Sequence, residues 1–133
     1  MKIDHIGIAV NDLDRALEFY RDTLGLTVSE VVSLPERGLT IAFLPLGEAL
    51  LELMAPLGEK SEIARFLERR GEGIHHLCLG APGLADREAK LRNAGVRLVW
   101  DRPQLGAEGR PVQFIHPSAT HGVLLELAET EAE

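Results

Sequence analysis

Two stretches decide the fold: DHIGIAVNDLDRALEFYRDTLGLTV, from Asp4 to Val28, and HHLCLGAPGLADREAKLRNAGVRLV, from His75 to Val99. Laid on one another they pair His5 with His76 and Leu13 with Leu84 and, after a one-residue slip, Gly25 with Gly95. In the first stretch Ile6, Ile8 and Val10 alternate with His5, Gly7 and Ala9, the period of a β-strand with two distinct faces. A helix follows. Asp12 is suited to cap it, and Leu13, Ala16, Leu17, Tyr20 and Leu24 recur at helical spacing. Gly25 supplies the left-handed residue that ends it. The second stretch repeats the plan with Leu84, Leu91 and Ala94, ending at Gly95.

Further along, ALLELMA (Ala49 to Ala55) echoes VLLELAE (Val123 to Glu129) and sets Glu52 against Glu126. An internal repeat of this length marks two copies of one supersecondary unit. The strands expected after each helix are Thr27–Leu34, Leu39–Pro45 and Ala49–Met54, then Arg97–Trp100, Val112–His116 and Val123–Leu127. Each copy therefore reads βαβββ, one over about 1–70 and the other over about 71–133, within a single domain of α+β class. Ser61–Arg70 is expected to form a connecting helix capped by Ser61, with Ile63, Phe66 and Leu67 on its apolar side.

The 133 residues suffice for one core without staples. Fourteen basic against twenty-one acidic residues leave a net charge of −7, which disfavours nucleic acid and anionic lipid as partners. Apolar runs are far too short to span a bilayer, and MKIDHIGIAV does not resemble a signal peptide. The single cysteine, Cys78, forbids an internal disulfide and fits a reducing cytoplasm.

The chemistry gathers at the repeated polar positions. Glu52 and Glu126 each sit in a strand between leucines, in LLELM and LLELA, where an ionised carboxylate costs several kcal/mol unless it is paired or holds a metal. One such residue is as well explained by a solvated sheet face; the same residue at both repeat positions is not. His5 and His76 point away from Ile6, Ile8, Leu77 and Leu79, hence onto the face without helices. Two imidazoles and two carboxylates on four strands suit a divalent cation such as Zn, Co, Ni, Mn or Fe. His75 faces the other way. His116 and His121 lie in turns, and Cys78 reads as a small buried hydrophobe. Phosphate-binding glycine loops and a serine nucleophile elbow are missing from the sequence.

On these residues the chain resembles the vicinal oxygen chelate (glyoxalase/bleomycin resistance/dioxygenase) superfamily and, within it, the methylmalonyl-CoA epimerase family. PERGLTIAFLPLG (Pro35 to Gly47), LELMAPLGEKSEIARFLERRGEGIHHL (Leu51 to Leu77) and the FIHP…GVLLEL segment (Phe114 to Leu127) carry the resemblance. It implies two βαβββ modules forming a curved mixed sheet around one metal site, with His5, His76 and Glu126 as ligands and Glu52 at a fourth ligand position. It also implies a metal-dependent isomerase that interconverts (R)- and (S)-methylmalonyl-CoA through an enolate, a small-molecule acyl-CoA substrate, one divalent cation per chain (Co, Zn, Ni or Mn), and a homodimer.

Two positions depart from the pattern. Some relatives carry Gln where Glu52 stands and place a second catalytic Glu where this chain has Ile41, so Glu52 becomes the candidate second base beside Glu126. Glu108 stands where relatives commonly have His. The alternatives are a glyoxalase I-type lactoylglutathione lyase, which fits the ligand quartet equally well, and a metal-free binding protein, which has no need of it. An extradiol dioxygenase, with two His and one Glu on iron, leaves no room for Glu52.

Overall fold

The structure, a computed structural model, describes residues 1–132. Its eight strands and three helices fall into two units, one comprising His5–His75 and the other Met1–Asp4 together with His76–Glu133. The mixture of helices with parallel and antiparallel strand pairs makes this an α+β protein.

In the first unit β1 (Lys2–Ala9) leads through Asp12, whose side chain accepts from the Arg15 backbone N–H, into α1 (Leu13–Leu17). The helix then widens to π geometry over Glu18–Thr23, and Leu24 N–H donates to Phe19 O at 2.7 Å. This widening corrects one expectation. Because a π turn holds more residues than an α turn, Leu24 rotates off the apolar stripe and is 54% exposed, while Tyr20 stays on it. Gly25 ends the helix at φ +89°.

The chain returns as β2 (Glu30–Leu34), β3 (Leu39–Leu46) and β4 (Ala49–Pro56). Thr27–Ser29, expected to extend β2, lie outside it. Strand order is β2-β3-β4-β1, and only β1 and β4 run parallel. Ile6 and Ile8 pack with Leu17, Leu44, Leu51 and Leu53 beneath α1, leaving His5, Gly7 and Ala9 for the opposite face. Helix α2 (Glu62–Arg70) follows, capped by Ser61, whose Oγ accepts from Ala64 N–H at 3.0 Å.

The second unit repeats the order. Strand β5 (Gly73–Gly80), which begins in the first unit, precedes α3 (Leu84–Asn93), β6 (Gln104–Leu105), β7 (Pro111–Ile115) and β8 (Leu125–Ala128). Strand order is β5-β8-β7-β6, with β5 and β8 parallel. Leu79, Leu84, Leu91, Leu98, Ile115 and Leu127 form the core under α3.

One expected strand is missing here, and two details are unforeseen. Arg97–Trp100 is not a strand and makes one bridge, Leu98 to Ile115. The short β6 falls where no strand is expected. Helix α3 has no side-chain cap of its own, since its cap residue is Gly83, and Leu84 N–H instead donates to Glu129 Oε2 at 3.1 Å.

The opening residues belong to this second unit. Arg110 donates to Asp4 Oδ2 at 2.9 Å and to Glu129 O at 3.3 Å, and it also pairs with Glu108. Partial burial opposes its charge, but the carboxylates of Asp4 and Glu108 prevail and raise its pKa above the ordinary arginine value. Glu108 is thus one arm of an ion-pair cluster. Among the described residues no helix is long and apolar enough to cross a membrane.

Candidate metal and acid–base residues

The four polar residues singled out by the repeat are all buried: His5 is 6% exposed, Glu52 4%, His76 5% and Glu126 7%. The structure joins them in two pairs, one in each unit. His5 Nδ1 lies 3.0 Å from Glu52 Oε2, and His76 Nε2 lies 3.1 Å from Glu126 Oε1.

Strand register explains why both pairs form. In the parallel ladder of β1 and β4, Glu52 stands opposite Gly7, two residues beyond His5 on the same face. In the ladder of β5 and β8, Glu126 stands opposite Cys78, two residues beyond His76. The diagonal is the same, and a small residue in each case leaves space for the two long side chains to meet.

Whether these residues suit a metal turns on their donor atoms. In each pair an imidazole nitrogen and a carboxylate oxygen stand 3.0–3.1 Å apart, close enough either to bond to one another or to turn toward a shared ion. Imidazole nitrogen with carboxylate oxygen is a donor set for borderline divalent ions. The residues present therefore fit a divalent cation.

The register also reveals two residues that sequence reading missed. Phe43 on β3 stands directly opposite Glu52, and Phe114 on β7 directly opposite Glu126. Each unit thus sets His, Glu and Phe together on its helix-free face. In apolar strands the two phenylalanines read as ordinary core, and only their offset of 71, the same as that of His5 and His76, marks them. Phe114 meets the His76 ring edge-on, with centroids 5.6 Å apart. Ile41 shares the face of Glu52 and is buried.

The remaining histidines sit as expected of structural residues. His75 packs edge-on against Phe66 at 4.9 Å, and His116 Nδ1 bonds within its own turn to Ser118. His121 occupies a loop at φ +60°, and Cys78 is fully buried.

Residues 4–114 match the family described as the Glyoxalase/Bleomycin resistance protein/Dioxygenase superfamily. The mitochondrial methylmalonyl-CoA epimerase of Mus musculus is 41% identical over 129 residues, covering 96% of this chain and 72% of its own. The crystal structure of methylmalonyl-CoA epimerase from Mycobacterium tuberculosis superposes with a TM-score of 0.89 at 41% identity, covering 99% of this chain and 89% of that one. The chain belongs to the methylmalonyl-CoA epimerase family of that superfamily. A further methylmalonyl-CoA epimerase, solved with methylmalonyl-CoA and NH4+, matches with a TM-score of 0.90 at 39% identity over 98% of this chain and 95% of its own. Ile41 brings no titratable group to the strand beside Glu52.

Proposed function

We propose that this chain interconverts the two C2 epimers of methylmalonyl-CoA, with His5, Glu52, His76 and Glu126 together holding one divalent cation and with Glu52 and Glu126 as the acid–base pair. The observation that carries the reading is the doubled, buried His–Glu pair within a chain of the epimerase family. The reading extends to a homodimer acting in the cytoplasm.

The C2 proton lies between a carboxylate and a thioester carbonyl, so its removal leaves an enolate. When bound, the cation supplies Lewis-acid stabilisation of the enolate oxygen. His5 and His76, each beside a carboxylate, present a fixed ring nitrogen as a donor. Inversion needs a proton removed from one face of C2 and returned to the other. Glu126 takes it on one side and Glu52, with Ile41 inert, delivers it on the other. A carboxylate cannot be a tight ligand and a free base at once, so at least one glutamate loosens during turnover. The apolar strands around both pairs exclude water, which guards the enolate against stray protonation.

The deciding experiment follows deuterium exchange and inversion at C2 of methylmalonyl-CoA alongside isomerisation of a glutathione hemithioacetal. Exchange with inversion, and no hemithioacetal turnover, is expected. The opposite pattern would assign the chain to the lactoylglutathione lyases. Metal analysis should give one divalent ion per chain, and chelation should stop inversion until Co²⁺ or Zn²⁺ is restored. Full activity in the chelated protein would remove the cation from the mechanism.

A further inference from the structure

Trp100 is not required by the repeat, and the second unit holds it unusually firmly. Its backbone N–H donates to Gln113 Oε1 at 3.2 Å, and its carbonyl accepts from Gln113 Nε2 at 3.0 Å and from Arg92 at 3.2 Å. Gln113 is fully buried, and it also donates to Glu88 Oε2 at 2.9 Å and accepts from Phe114 N–H at 2.9 Å. Glu88 and Arg92 both come from α3, and Arg92 clasps the Asp101 carbonyl at 2.6 Å as well.

The held indole lies on the helix-free face, against Cys78, Val112 and Ala128. Its ring meets Phe114 edge-on, with centroids 5.2 Å apart and planes at 89°. Phe114 in turn meets His76 edge-on, with centroids 5.6 Å apart and planes at 78°. The terminal torsion of a histidine is soft, so its ring plane is set by what it touches. Three rings in successive perpendicular contact carry the fixed position of the Trp100 backbone to the imidazole.

We propose that Trp100 is a positioning residue for the reaction, acting through Phe114 to set the ring plane of His76 beside Glu126. The inference rests on the epimerase reading for its kinetic consequence, though not for its geometry. Displacement of a catalytic constellation by about 1 Å costs on the order of 100-fold in rate, so a partial loss of support should cost about tenfold.

The test compares Trp100→Ala, Trp100→Phe and Leu98→Ala. Leu98 packs in the core beneath α3 and serves as a control for lost stability. Each variant is measured for thermal midpoint, for kcat and KM with methylmalonyl-CoA, and for the His76 ring resonances of the metal-free protein. Trp100→Ala should lower kcat about tenfold with KM within about twofold, and should shift or broaden the His76 signals. Trp100→Phe should recover most of both, and Leu98→Ala should lose stability while leaving kcat and the His76 signals unchanged. Equal loss of kcat in Trp100→Ala and Leu98→Ala would overturn the proposal, as would unchanged His76 signals in Trp100→Ala. If the unmodified enzyme fails to invert methylmalonyl-CoA, the epimerase reading falls, and the His76 signals alone still decide the positioning role.

Discussion

The two units place His, Glu and Phe by the same register and then finish their sheets in different ways. After α1, Ser29 N–H donates to Phe43 O at 2.9 Å and the ladder continues directly, with Glu30 opposite Phe43. After α3, Val99 N–H donates to Phe114 O at 2.8 Å in the matching position. There the ladder stops. Trp100 takes the place of Glu30, and Phe114 N–H turns to the side chain of Gln113 instead of the neighbouring strand. A repeat can keep its chemical residues in strict correspondence while the scaffold behind them diverges. Ladder geometry alone fixes where the His–Glu diagonal falls, so whatever lies beyond the next strand is free to vary.

Equivalence of the two carboxylates is open to the sharpest challenge. Glu126→Gln keeps the side chain's size but removes its proton-accepting capacity, and inversion should fall by about 100- to 10,000-fold in a protein whose circular dichroism is unchanged. Glu52→Gln should also abolish inversion, yet retain metal and continue to exchange deuterium from a single face of C2. If it keeps near-full epimerase activity, Glu52 is a ligand alone and the two carboxylates are not equivalent.

Ile41 sharpens the same point, because it lies on the face of Glu52 one strand away. The double variant Ile41→Glu with Glu52→Gln rebuilds the arrangement that the family resemblance attributes to other members. It should recover inversion relative to Glu52→Gln, and coupled inversion assays on both would measure the recovery. No recovery would place the second base elsewhere.

Stability probes test the divergent scaffold. Gln113→Leu strips partners from Trp100 N–H, Trp100 O and Phe114 N–H at a fully buried site, and should cost about 3 kcal/mol in denaturant unfolding. The smallest effect belongs to the helix caps. Asp12→Ala in the first unit and Glu129→Gln in the second should each cost ~1 kcal/mol or less, read as a fall of a few degrees in the thermal midpoint.

The same asymmetry explains how much of the molecule the sequence discloses. Glu52 and Glu126 stand out because charge among leucines has few inexpensive explanations, and repetition removes the accidental one. Asp12, Ser61, Gly25 and Gly95 act on neighbours within a few residues, so their roles are local and visible. Arg97–Trp100 reads as a strand because its composition suits one, but the competing partner is the amide of Gln113, which no local pattern announces. The cap of α3 comes from Glu129, 45 residues away from Leu84. Leu24 fits the helical stripe by count, and only the π widening removes it. Phe43 looks like core because it is buried, and Phe114, half-buried, sits in the matching strand; their second role depends on register across strands.

The pairing of Arg110 with Asp4 joins residues 106 positions apart, whereas every ladder of the first unit outside the start of β1 closes between residues 5 and 75. Closing so long a loop costs more entropy and slows the step that depends on it. The two units should therefore mature in sequence. Residues 5–75 can pair among themselves as soon as they are made, while Met1–Asp4 wait for the rest of their own unit, from His76 onward. Until then the opening of β1 presents an unpaired strand edge, the surface through which incompletely made chains of this kind find one another and aggregate.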